Sequence, residues 1–158
     1  SSFENIDKYT SIMGPNPLSF QMRALCYEEK NDPFMAAYNW GYMNKALNKF
    51  DDALVEFSHA YSLNQKNKDV LIELAKLYEQ NKEKYTAIDY WHKVYDLDGD
   101  ETAKSILADF YYKEGDIMMA EKFGKEIQSS DKNSEKYMEP EVEDEGLLNK
   151  IINFFGKK

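Results

Sequence analysis

Tyr38-Asn39-Trp40-Gly41, running on through Phe50-Asp51-Asp52-Ala53-Leu54 to Ala60-Tyr61-Ser62-Leu63, is the stretch whose reading decides the fold. It returns as Leu71-Ile72-Glu73-Leu74-Ala75, then Ala87-Ile88, then Val94-Tyr95-Asp96-Leu97. Ala53 and Ala87 lie 34 residues apart, as do Leu63 and Leu97. A third copy follows with Ile106-Leu107-Ala108, Tyr111-Tyr112-Lys113-Glu114-Gly115-Asp116 and Ala120. Apolar residues at i, i+3 and i+4 are common to all amphipathic helices. Small residues at matched positions three times over are not. They let two helices approach closely while bulky neighbours fill the flanking grooves. A pair of this kind leaves one face bare, so the next pair must cover it.

Over residues 34–130 the pattern resembles the tetratricopeptide repeat, a 34-residue helix-turn-helix unit. Its small position 8 is Gly41, Ala75 and Ala108, and its position 20 is Ala53, Ala87 and Ala120. The large apolar position 7 is Trp40, Leu74 and Leu107. Position 11, usually Tyr, is Asn44, Tyr78 and Tyr111, so the first copy departs from the pattern. Position 24 is Phe57, Trp91 and then Gly124, where the third copy loses its aromatic, and position 27 is Ala60, Val94 and Ile127. Proline is missing at position 32, where Gln65 and Gly99 stand. The resemblance implies an all-α, right-handed α-α superhelix of three repeats, at about 34–67, 68–100 and 101–130. Counting back one period puts Gly14 at a turn, Ser19 at the alanine position and Cys26 at position 27, so residues 1–33 read as a degenerate helix pair.

Composition agrees with packed helices and excludes other classes. At 158 residues the chain is one domain or one short array. Its 29 acids against 20 bases give a net charge of −9, which argues against a phosphate-backbone partner, so no nucleic acid is expected. The lone Cys26 makes no internal disulfide, and two histidines cannot build a zinc cluster. No metal or cofactor is expected. The opening Phe3-Glu4-Asn5-Ile6-Asp7 lacks the basic and apolar regions of a signal peptide, which favours a cytoplasmic location. The chain does not start with Met, which leaves room for an upstream leader or anchor.

After Gln128 the character changes. Residues 131–146 read as an acidic linker, with six acids and one lysine between Ser134 and Gly146. Residues 147–158 then carry Leu147, Leu148, Ile151, Ile152, Phe154 and Phe155 at helical spacing, with Lys150, Lys157 and Lys158 around them. Full burial of six such side chains contributes on the order of 10 kcal/mol before ordering costs, so this amphipathic C-terminal helix should find cover. Three destinations compete: a cap over the open end of the array, the groove of this chain or of a neighbouring copy, and a membrane surface. The second includes tail-mediated self-association.

No catalytic constellation emerges. Asp96-Leu97-Asp98-Gly99-Asp100-Glu101 suggests a calcium loop, but Gly99 falls fourth rather than sixth and the twelfth residue is Leu107. A turn closed by Gly99, with Asp98 or Asp100 capping the next helix, is the expectation. His59 and His92 have no adjacent nucleophile, and the acidic pairs Glu28-Glu29 and Asp51-Asp52 do not converge on one point. The expected role is a non-enzymatic scaffold or adaptor that binds a protein partner as a peptide or helix. A peripheral membrane scaffold anchored by 147–158 is the alternative.

In the family that the repeats resemble, positions 2, 5, 9 and 12 of each first helix line a concave groove. The resemblance therefore assigns Met35, Tyr38, Tyr42 and Lys45 from the first repeat. From the second it assigns Asp69, Ile72, Lys76 and Glu79, and from the third Thr102, Ser105, Asp109 and Tyr112. Chaperone-binding members grip a carboxylate with Lys, Asn and Arg, where this chain has Tyr38, Tyr42, Glu73, Thr102 and Ile106. Binding of heat-shock chaperone tails is not expected.

Overall fold

The computed structural model describes residues 2–128, and these form helices joined by short turns. The helices are α1 (Ser2–Met13), α2 (Pro17–Glu29), α3 (Pro33–Ala46), α4 (Phe50–Leu63), α5 (Lys68–Gln80), α6 (Lys84–Asp98), α7 (Glu101–Glu114) and α8 (Ile117–Lys122). Residues 129–158, which include the acidic linker and the amphipathic tail read from the sequence, lie outside the described residues.

Each helix begins and ends for local reasons. Asn16 and Ser19 form a capping box on α2, each side chain accepting from the other's backbone N–H, at 3.1 and 3.0 Å, with Pro17 in the first turn. Asp32, Asn67, Asp100 and Asp116 cap α3, α5, α7 and α8 by accepting from the N–H three residues on. Gly99 closes α6 at φ +71, so the acidic stretch around it is the turn expected rather than a calcium loop.

The turn inside each pair repeats in detail. Lys49, Glu83 and Asp116 donate their backbone N–H to the carbonyls of Asn44, Tyr78 and Tyr111, each at 2.9 Å. One residue earlier, Asn48, Lys82 and Gly115 sit in the left-handed region, at φ +58, +63 and +84. The bond uses the carbonyl at position 11, not its side chain, which explains why Asn44 stands there without disturbing the turn.

Helices pack on their neighbours along the chain: α3 on α2 and α4, α5 on α4 and α6, α7 on α6 and α8. The small residues lie at these contacts. Ser19, Ala53, Ala87 and Ala120 are buried, as are Ala60, Ala75 and Ala108. Gly41 shows why size matters, because a Cβ built on it would fall 2.8–2.9 Å from three ring carbons of Phe57, which is itself fully buried. One apolar cluster joins Ala37, Phe57 and Ala60 to Val70, Leu74 and Leu77 of α5. A second joins Leu71 and Ala75 to Trp91, Val94 and Leu107. In both, the face left bare by one pair is covered by the first helix of the next.

The last pair departs from the first two. α8 stops at Lys122, and Gly124 follows at φ +89, so Ile127 lies beyond the helix. The aromatic missing at position 24 is supplied one residue earlier. Phe123 is 4% exposed and stacks on Tyr111 at 5.8 Å, with Tyr95 and His92 edge-on at 5.2 and 5.4 Å.

His92 sits in this cluster, with Nε2 2.8 Å from the Tyr111 hydroxyl. Burial pushes its pKa below the ordinary 6.5, against the opposing pull of Asp96 and Asp89. A histidine whose folded pKa is depressed favours folding while neutral and opposes it once the unfolded chain binds the extra proton. Its stabilisation is therefore complete above pH 6.5 and falls as pH drops through that value. Asp100 and Asp109, held low by Lys68 and Lys125, lose their contributions only as pH falls below about 3.8. The melting temperature should thus decline between pH 7.5 and 5.5, and His92→Gln should flatten that slope. An unchanged slope in the variant would remove His92 as its cause.

Candidate functional site

The sequence-assigned groove residues fall on α3, α5 and α7. Met35, Tyr38, Tyr42 and Lys45 of α3 are half-buried, while Asp69, Lys76 and Glu79 of α5 are exposed and Ile72 packs partly into the second apolar cluster. On α7, Thr102, Ser105 and Asp109 are exposed and Tyr112 is half-buried.

Side-chain bonds join α3 to α5. The Tyr38 hydroxyl donates to Asp69 Oδ2 at 3.2 Å, and the Tyr42 hydroxyl to Glu73 Oε1 at 3.5 Å. Lys45 Nζ reaches the other carboxylate oxygen of Glu73. Positions 5, 9 and 12 of one first helix thus meet positions 2 and 6 of the next. Tyr42 also stacks on Phe20 of α2 at 5.5 Å, sits edge-on to Tyr38 at 4.9 Å and to Phe57 at 5.1 Å. Burial raises the pKa of Tyr38, with Asp69 and Glu73 adding to the effect through their charge. Burial, followed by the charge of Glu73, raises that of Tyr42 far beyond the ordinary phenol range. Both phenols stay neutral hydrogen-bond donors at physiological pH. Neutral phenols donate hydrogen bonds and are poor nucleophiles.

Glu73 and Phe20 were not among the residues assigned from the sequence. Glu73 occupies a position that is otherwise apolar or inward, and its only advance signal was a basic residue, Lys45, one helix pair upstream.

The α5–α7 junction is built differently. The place of Glu73 is taken by Ile106, and Glu79, at the place of Lys45, accepts from the indole N–H of Trp91 at 2.6 Å. A crevice of about 280 Å³ lies here, lined by the apolar Ile88, Ile106 and Phe110 and by the charged Glu79, Lys84, Asp109 and Lys113, with Lys84 paired to Glu114 at 2.7 Å. Asp109 in turn accepts from Lys125 Nζ at 2.5 Å, and that ammonium lies 5.1 Å from the Tyr112 ring centroid. Both assigned residues at the α7 end are therefore met by the chain leaving α8.

A separate recess of about 300 Å³ lies between α2, α3 and α4, against Pro33, Ala36 and Trp40. Glu28, which accepts from the Trp40 indole at 2.7 Å, and Glu56 flank it beside His59. Burial raises the Glu56 pKa above the carboxylate norm. Among the described residues no group of three or more His, Cys, Asp or Glu side chains is placed to hold a metal ion. No helix among them is long and apolar enough to cross a membrane. The proposed tail contacts Leu147, Leu148, Ile151, Ile152, Phe154 and Phe155 lie outside the described residues.

Successive helix pairs, with the same turn inside α3–α4, α5–α6 and α7–α8 and small residues at the crossings, define an all-helical repeat fold among the described residues. No family model matches the chain, and no curated protein matches it. Among solved structures the chain is similar to one titled "Crystal structure of MamA". The two are 18% identical, the match covers 75% of this chain and 80% of that one, and the TM-score is 0.49.

Proposed function

We propose that this chain is a tetratricopeptide-repeat scaffold that binds another protein, as a peptide or helix, along the row formed by α3, α5 and α7. Its repeats wind as a right-handed superhelix with that row on the concave side, and it performs no catalysis. One observation carries the reading: the Tyr38–Asp69 and Tyr42–Glu73 bonds join two successive first helices, so the assigned side chains of α3 and α5 make one continuous surface. That surface runs from the aromatic block around Tyr38 and Tyr42 to the apolar crevice at Ile106, a combination suited to a partner with apolar anchors and polar flanks.

Lys76 and Ser105 are exposed on this row, and neither makes a contact that the fold requires. Crosslinking capture from the source cells, with the wild-type chain and with Lys76→Glu/Ser105→Arg, tests the proposal. Recovery of a specific partner should fall at least tenfold in the variant, with its circular dichroism unchanged. Equal recovery by both proteins would move the binding surface elsewhere.

A further inference from the structure

The recess between α2, α3 and α4 lies apart from the row formed by α3, α5 and α7, and we propose that it receives an arginine side chain of a protein partner. With about 3.6 residues per turn, its Ala36 and Trp40 fall on the opposite side of α3 from Tyr38 and Tyr42. Residue size sets it apart from the same place one repeat later. Ala36 and Ala37 stand where Val70 and Leu71 are buried, and Glu56 stands where Tyr90 packs against both apolar clusters.

Charge selects the occupant. Glu28 and Glu56 bring two carboxylates to a wall that includes Trp40. The Trp40 indole N–H satisfies Glu28 at 2.7 Å, whereas Glu56 makes no hydrogen bond or ion pair among the described residues. Desolvation raises the Glu56 pKa; His59 opposes this, and the charges of Glu28 and Asp52 add to it. A positive group entering the recess offsets both the lost water and the like-charge repulsion.

That group is not a metal ion, because no three ligating side chains are placed together among the described residues. A guanidinium has the required properties. It keeps its charge when partly dehydrated, spreads several N–H donors in one plane to face carboxylates, and packs its flat surface on aromatic and apolar carbons. The net charge of −9 favours the approach of such a group. The recess and the α3–α5–α7 row share no assigned residue, so either reading can fail without the other.

The test titrates the isotope-labelled full chain with N-acetyl-arginine amide and follows both indole N–H resonances by NMR, with Trp40→Phe assigning them. Trp91, 3% exposed and bonded to Glu79, is the internal control. The Trp40 signal should shift saturably in the millimolar range while that of Trp91 stays in place. Binding should weaken about tenfold for N-acetyl-citrulline amide, which keeps the shape without the charge, and about tenfold in Glu56→Gln with the Trp91 signal unmoved. Free arginine, which carries its own carboxylate, should bind more weakly than the amide. No saturable shift, equal binding of the citrulline compound, indifference to Glu56→Gln, parallel shifts at Trp91, or tighter binding of free arginine would each overturn the proposal.

Discussion

Phe57→Ala should lower stability by about 3–5 kcal/mol, the range for truncating a buried aromatic, and the melting temperature by roughly 10 °C or more. The ring is fully buried in α4, it fills the space above Gly41, and Tyr42 sits edge-on to it at 5.1 Å. Removing it opens a cavity where α3, α4 and α5 meet, and a glycine on the facing helix has no side chain to move in. Such a loss is a large share of the 5–15 kcal/mol typical of a whole domain. A thermal melt followed by circular dichroism reads it directly. A shift of only a degree or two would mean that this crossing is not where the pairs hold together.

The second large effect concerns Lys45. Glu73 is 7% exposed between α3 and α5, and its carboxylate is held by Lys45 and by the Tyr42 hydroxyl. Lys45→Ala leaves that charge with a single phenol. Breaking a fully buried pair costs about 3–5 kcal/mol. The Lys45 side chain is 37% exposed, so water partly replaces it and the expected cost is about 1–3 kcal/mol. Because the loss comes from a stranded charge, Glu73→Gln should recover much of it in the Lys45→Ala background. Additive losses in that double variant would show that the two side chains do not act as a pair.

Fold and site were legible to different depths. Alanines at period 34 announced the helix pairs, because helix contacts constrain size and a size constraint is written in residue identity. Asp100 and Gly99 were legible for a similar reason, since a cap and a left-handed turn each admit few residue types. Phe123 was not. The sequence shows an aromatic missing at position 24, yet one residue earlier a phenylalanine reaches the same interior once Gly124 ends the helix. A strict register hides such a shift.

The site was read by position alone, and position does not reveal partners. Glu79 was assigned to the groove, while its carboxylate is drawn to Trp91 by a bond between residues 12 apart on neighbouring helices. Asp109 was assigned likewise, and Lys125 from beyond α8 reaches it. Both contacts depend on rotamer and chain path, which a 34-residue period does not encode. The same holds for the crevice, where Ile106 stands in the place of Glu73 and which no motif announces.

The account rests on close packing at the helix crossings, and Gly41→Ala tests it by sign. In an open helix this change favours folding by about 1 kcal/mol. Here the new Cβ meets the Phe57 ring at 2.8–2.9 Å, and overpacking of this kind costs about 1–3 kcal/mol. The account predicts that Gly41→Ala lowers the melting temperature of the wild-type chain and does less harm, or raises it, when Phe57→Leu has made room. A variant that is stabilised in the wild-type background, with no dependence on residue 57, would contradict it.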